Sequence, residues 1–227
     1  MGDLSKSESR RFWINAIYDK QVVALIGGPP CETWSRARGK PISSLPSGRR
    51  SCPRVIRTLK ETWGMSSLSL RELAQITIGN LLMGFQLIAM AALSCTGGIA
   101  VLEHPAEPPE EGTASIWRTP IMQPLLQLPE FSKLTISQGL CGAQSAKPTT
   151  LAILNAPDLY KVLHPGRVTM DLPKGTSIGR DAGGNWATSK LKEYPPCRAV
   201  FSLGDRYSSG LEPTCPGRNR SGLLAIS

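Results

Sequence analysis

Aromatic residues make up only 6% of the 227 residues, and histidine is nearly absent, with His104 and His164 alone. The six cysteines, Cys31, Cys52, Cys95, Cys141, Cys197 and Cys215, include no Cys-x-x-Cys pair. These shortages exclude the ligand spacings of a zinc site, so no metal is expected. Thiols this scattered read as free cysteines of a reducing intracellular compartment, nuclear in a eukaryote and cytoplasmic otherwise. Acid is short as well: 17 Asp and Glu face 26 Lys and Arg, leaving a net charge of +9. That surplus suits an anionic partner, nucleic acid before a membrane surface, although ordinary basic solubility gives the same balance. Residues 1–11 lack the apolar core of a secretory leader, and no internal repeat is visible.

What is present is 41% hydrophobic content, enough for one sizeable core, with 22 Gly and 19 Pro marking many turns. Residues 73–102 carry no charge. Gln75, Thr77, Asn80 and Gln86 dilute that run and Gly97-Gly98 interrupts it. It therefore predicts a core helix over about 70–93, a glycine turn and a strand over 99–102, with no membrane span. A further helix is expected over 5–18, opened by Ser7 ahead of Glu8, and a short one over 115–126. Strands are expected over 134–137 and 151–155, and a short helix over about 188–193. The expected organisation is an α/β core over 1–157 and a loop-rich extension over 158–227, loose from about residue 208.

The chemistry concentrates around residues 22–38. Val22 to Ile26 reads as a buried strand, stopped by Gly27-Gly28-Pro29-Pro30. Pro30 stiffens the turn and presents Cys31 at the carboxyl edge of the sheet, where ligands bind in open α/β folds. Arg36 and Arg38 follow closely, and their positive field is expected to lower the thiol pKa. Cys31 is then either a nucleophile or a small buried hydrophobe. Residues 39–63 read as a long loop whose Arg49, Arg50, Arg54, Arg57 and Lys60 hold phosphates, with Trp63 stacking on a base, or else a solvated basic loop. The 99–102 strand ends in Glu103-His104-Pro105. Two strands joined by a long helical crossover lie parallel and close, so Cys31 and Glu103 are expected to meet at one sheet edge. A cap or surface acid is the other reading of Glu103. His104 either orients Glu103 or fills space.

The order strand–Gly-Pro-Pro-Cys, helix, strand–Glu-His-Pro, then a glycine turn with Lys-Pro-Thr before a strand resembles the cytosine-5 DNA methyltransferases. The likeness covers about residues 12–155. It implies that Pro30-Cys31 supplies a nucleophile for C6 of cytosine and that Glu103, where the family has Glu-Asn-Val, assists at N3. It implies nucleic-acid contacts from Arg36, Arg38, Lys147 and Thr149, with Lys147 standing where the family has an Arg. Residues 191–195 echo a later family segment. The implied cofactor is S-adenosylmethionine and the implied partner is DNA.

The fold expected on this resemblance is a partial Rossmann-like, methyltransferase-type α/β sheet, mostly parallel and lacking its first strands. Only residues 1–20 precede the first strand, without the glycine turn that opens the family's cofactor site, so the cofactor-binding residues are unassigned. Three readings follow: a segment completed by a cofactor-binding segment or chain, a fragment, or a decayed copy that binds nucleic acid without turnover.

Overall fold

The computed structural model describes residues 2–35, 38–39, 53–141, 147–163 and 222–226. Helix α1 (Ser7–Tyr18) buries Ala16 and Ile17 and delivers the chain into β1 (Val22–Gly27). The Ser7 hydroxyl does not cap this helix: Lys6 is the N-cap, and Ser7 donates to Glu8. A 3-10 turn (Glu32–Trp34) follows Cys31. Helix α2 (Leu70–Thr96) begins at a full capping box, Ser69 and Glu72 exchanging hydrogen bonds, and ends at Gly97 in the left-handed conformation. Strand β2 (Ile99–Pro105) comes next. After a second 3-10 turn (Ile116–Arg118) come α3 (Met122–Leu126), β3 (Phe131–Ser137), a third 3-10 turn (Gln138–Cys141), β4 (Pro148–Leu154), α4 (Pro157–Leu163) and β5 (Gly222–Ile226).

The charge-free run is the spine of the core. Met83, Leu87, Met90 and Leu93 of α2 join Leu25 of β1, Ala100 and Leu102 of β2, and Ala152 and Leu154 of β4 in one buried cluster. Each large side chain so buried contributes on the order of 1.5–3 kcal/mol. By length and composition α2 is able to cross a membrane, yet 56% of its most apolar window is buried in this fold. Absence of charge here reflects contact with the sheet.

The five strands run β3-β4-β2-β1-β5. As expected for a helical crossover, β1 and β2 are parallel neighbours, with Ile26 opposite Val101. The sheet is α/β but mixed, and the expectation of mostly parallel strands needs correcting: β1 pairs parallel with β2 and β5, whereas β4 pairs antiparallel with both β2 and β3. The reason is connection length. The long link after β2 carries two short helical elements and places β3 one slot away; the short link from β3 allows only a reversal, which inserts β4 between them.

Several boundaries also move. Strand β2 does not end before Glu103 but runs through it, because β4 pairs with Glu103, His104 and Pro105. The helix expected over 115–126 is split at Thr119, which precedes Pro120 and is extended (ψ 145°). Within the tail read as loose, β5 adds to the edge of the sheet beside β1. The helix expected near 188–193 and the 191–195 segment lie outside the described residues.

Candidate active site

Cys31 sits where the turn after β1 enters the 3-10 turn, its carbonyl accepting from the Trp34 amide at 3.0 Å. Its side chain is partly buried and free of any disulfide. The turn is held from below by α2. A Cβ on Gly27 would collide with the Gln86 amide oxygen, so only glycine lets this helix approach so closely. Gln86 is fully buried, and neither of its amide atoms has a hydrogen-bond partner among the described residues.

Glu103 reaches the same edge from β2. Its Oε1 accepts from Gln138 Nε2 at 3.2 Å and lies 3.7 Å from Lys147 Nζ. Both members of that ion pair are largely buried, with 12% of the Glu103 side chain and 19% of the Lys147 side chain exposed. Cys31 stands within the field of the pair. Burial pushes its thiol up, Lys147 pulls it down, and Glu103 and Glu32 push it up again; the thiol ends above its ordinary value. The lowered pKa expected from the Arg36 and Arg38 field is therefore not what the fold produces. The cation acting on Cys31 is Lys147, just ahead of β4 and 116 positions further along the chain (147 minus 31).

The remaining sequence-expected residues divide. Arg36 lies outside the described residues. Arg38 is turned inward: its nitrogens donate to the carbonyls of Glu32 and Arg54 and to Gln75 Oε1, bracing the loop. Pro30 is half-buried in the turn. Thr149 is 1% exposed, paired with Pro105 in the sheet, which removes it from any nucleic-acid surface. His104 does not orient Glu103. Alternation along β2 sends it to the opposite face, between Trp34 and Trp117, with ring centroids 5.6 and 6.2 Å away. Both its ring nitrogens lack hydrogen-bond partners among the described residues, and burial, aided by the charges of Lys147 and Arg57, lowers its pKa to about 3.

One residue escaped the sequence reading: Gln138, although a polar residue placed just after an apolar-patterned strand carries a signal of the Glu103 kind. Arg57, expected with the other loop cations either to hold phosphates or to be solvated, is instead 3% exposed and stacks 4.0 Å over the Trp34 ring, and nothing in the sequence set it apart from them. Neighbouring Arg54 is an ordinary partner of Glu72 at 2.8 Å. Trp63, expected to stack on a base, meets Trp34 edge-on at 5.8 Å and remains 41% exposed.

No family model, curated protein or solved structure matches this chain. Among the described residues no group of His, Cys, Asp and Glu is arranged to hold a metal. Nor do the described residues fit S-adenosylmethionine. The glycines after β1 are occupied in receiving Gln86 and presenting Cys31, and the acid at that edge is tied to Lys147 and Gln138.

Proposed function

We propose that this chain is a cytosine-5 DNA methyltransferase-like segment on a Rossmann-like framework, with Cys31 as nucleophile and Glu103 as the partner of cytosine N3. The observation that carries the reading is the convergence of Cys31, Glu103 and Lys147 at the carboxyl edge of the parallel pair β1 and β2. Pairing of β5 alongside β1 extends the parallel part of the sheet at the site's other flank.

The chemistry this arrangement supports is addition of a thiol across the C5–C6 bond. Sulfur forms a bond to C6, the ring electrons move toward N3, and a proton delivered at N3 neutralises them. Because burial keeps the thiol protonated at rest, its proton has to leave as the bond forms. Glu103 is the nearby carboxylate able to take it and pass it to N3, so proton count balances within the site. Lys147 holds the carboxylate in place and favours the thiolate. In the family resembled here, S-adenosylmethionine supplies the methyl group; the described residues of this chain offer it no cradle. A target base has to leave its stack to reach Cys31, at a cost of a few kcal/mol.

Covalent capture of DNA containing 5-azacytosine tests the reading, because the ring nitrogen makes C6 electrophilic without any methyl transfer. The full chain is expected to form a denaturation-resistant adduct that Cys31→Ser abolishes while leaving DNA affinity within about twofold. An adduct that survives the substitution places the nucleophile elsewhere. DNA binding without adduct formation favours the second reading, a nucleic-acid-binding remnant, which the poor fit to the cofactor supports.

A further inference from the structure

A cavity of about 270 Å³ is bordered by Thr33 and Trp34 of the Glu32–Trp34 turn, and Cys31, Glu103 and Lys147 are not among its lining residues. Its walls include Thr33, Ser35, Arg38, Arg57, Thr58 and Gly112. Arg57 is the unusual member. Its Nε donates to Thr33 Oγ1 at 3.0 Å and its Nη1 to the Thr62 carbonyl at 2.7 Å, while Nη2, buried beside Gly79 of α2, has no hydrogen-bond partner among the described residues. Among the described residues no carboxylate forms an ion pair with it. A buried cation without an opposite charge costs several kcal/mol after relaxation. A second guanidinium, Arg38, makes this worse: burial first, then the Arg38 charge, lowers the Arg57 pKa to about 10. Arg38 itself is supported by Glu32 and Glu72. One carboxylate, Glu110, lies on the cavity wall, but it does not figure among the charges acting on Arg57.

We propose that this cavity is a binding site for the tetrahedral oxyanion of a phosphate or phosphate ester, with Arg57 as its principal countercharge and Arg38 as the second. The volume accommodates a phosphate group with several waters, each water taking about 30 Å³. Hydroxyls suit the same ligand: Thr33 already accepts from Arg57, which leaves its O–H to donate outward. Guanidinium next to hydroxyl is the donor set that phosphate recognition uses. The anion would offset the repulsion between the two guanidinium groups, adding to the Trp34 ring face on which Arg57 stacks. This inference is independent of thiol chemistry at Cys31.

The test is calorimetric titration of the full chain with inorganic phosphate, against chloride at equal ionic strength. Saturable phosphate binding is expected. Arg57→Gln should abolish it, but Arg57 ties Thr33 to the chain at Thr62 and its loss can also disturb folding. Gly112 supplies the cleaner variant, because a side chain there meets nothing within 4 Å. Gly112→Asp adds a negative charge to the cavity wall and should weaken phosphate binding by at least about tenfold, while Gly112→Ala leaves it unchanged. Cys31→Ser should also leave it unchanged, which separates this site from the proposed catalysis. No saturable binding by the folded chain, or binding indifferent to Gly112→Asp, overturns the proposal. Competition then assigns the source: displacement of phosphate by an oligonucleotide means a backbone phosphodiester occupies the site, and simultaneous binding means a free phosphate compound does.

Discussion

Lys147 Nζ stands 3.7 Å from Glu103 Oε1, and the two exert opposite forces on one thiol. Burial is the largest influence on the Cys31 thiol and raises its pKa; on top of it Lys147 favours the thiolate and Glu103 opposes it. Glu103 is in turn shared with Gln138. A ligand that draws Glu103 toward itself removes one of the influences, beside burial and Glu32, that oppose ionisation, and so favours the thiolate.

Substitution of the two partners should therefore move Cys31 in opposite directions. Lys147→Met is expected to raise the thiol pKa further and slow alkylation by iodoacetamide at a fixed pH near 8. Glu103→Gln is expected to lower the pKa and speed alkylation. The pH profile of the alkylation rate, read against a Cys31→Ser background to subtract the other five cysteines, exposed Cys95 among them, checks both. Shifts of the same sign in the two variants would mean the ion pair does not govern the thiol.

His104 should give the fold an acid-sensitive component. Its ordinary pKa of 6.5 falls to about 3 in the folded chain, so the unfolded state binds the extra proton between those values. The stability held by the neutral ring is complete above pH 6.5 and is lost as pH falls toward 3, at about 1.4 kcal/mol per pH unit. His104→Phe keeps a ring between Trp34 and Trp117 and removes the titration. Denaturant midpoints of the variant should fall less steeply than those of the parent chain over this window. Parallel curves would show that His104 is not buried neutral.

The start of α2 provides a second pH-dependent element of the same sign and a lower range. Hydrogen bonds from Arg54 and from the Ser69 backbone and hydroxyl hold the Glu72 carboxyl at about 2, below its ordinary 4.5. Its contribution is present above pH 4.5 and disappears as pH falls through 2. Glu72→Gln should lower the melting temperature at pH 7 and approach the parent chain near pH 2. Ser69→Ala, which removes the cap, is expected to cost about 1 kcal/mol.

Gly27 and Gln86 should behave as one unit. Gly27→Ala pushes a methyl group into the buried Gln86 amide and is expected to destabilise by about 1–3 kcal/mol. Gln86→Ala opens that space. The double variant should be more stable than the sum of the single changes predicts, and urea unfolding of the four chains measures the difference. Additive effects would mean the turn before Cys31 is not supported by α2 at this point.

Much of the framework was legible along the chain, because the signals were local. Val22 to Ile26 is an unbroken apolar run stopped by Gly and Pro, and the uncharged run from Leu73 has the length of a helix plus a strand. Those two facts alone required β1 and β2 to be parallel and adjacent, and so brought Cys31 and Glu103 to one edge. The tertiary structure decided what pairwise distance in space decides. The antiparallel insertion of β4 carried Lys147 to Glu103 and buried Thr149; no periodicity announces which strand fills a slot. Burial, a property of the assembled layers, raised the Cys31 thiol where neighbouring arginines in sequence suggested a fall. It also separated Arg57 from the other loop cations and seated it over Trp34. Residue types and their spacing fixed which chemistry the edge of the sheet carries, and desolvation together with long-range charge fixed the state in which the fold holds it.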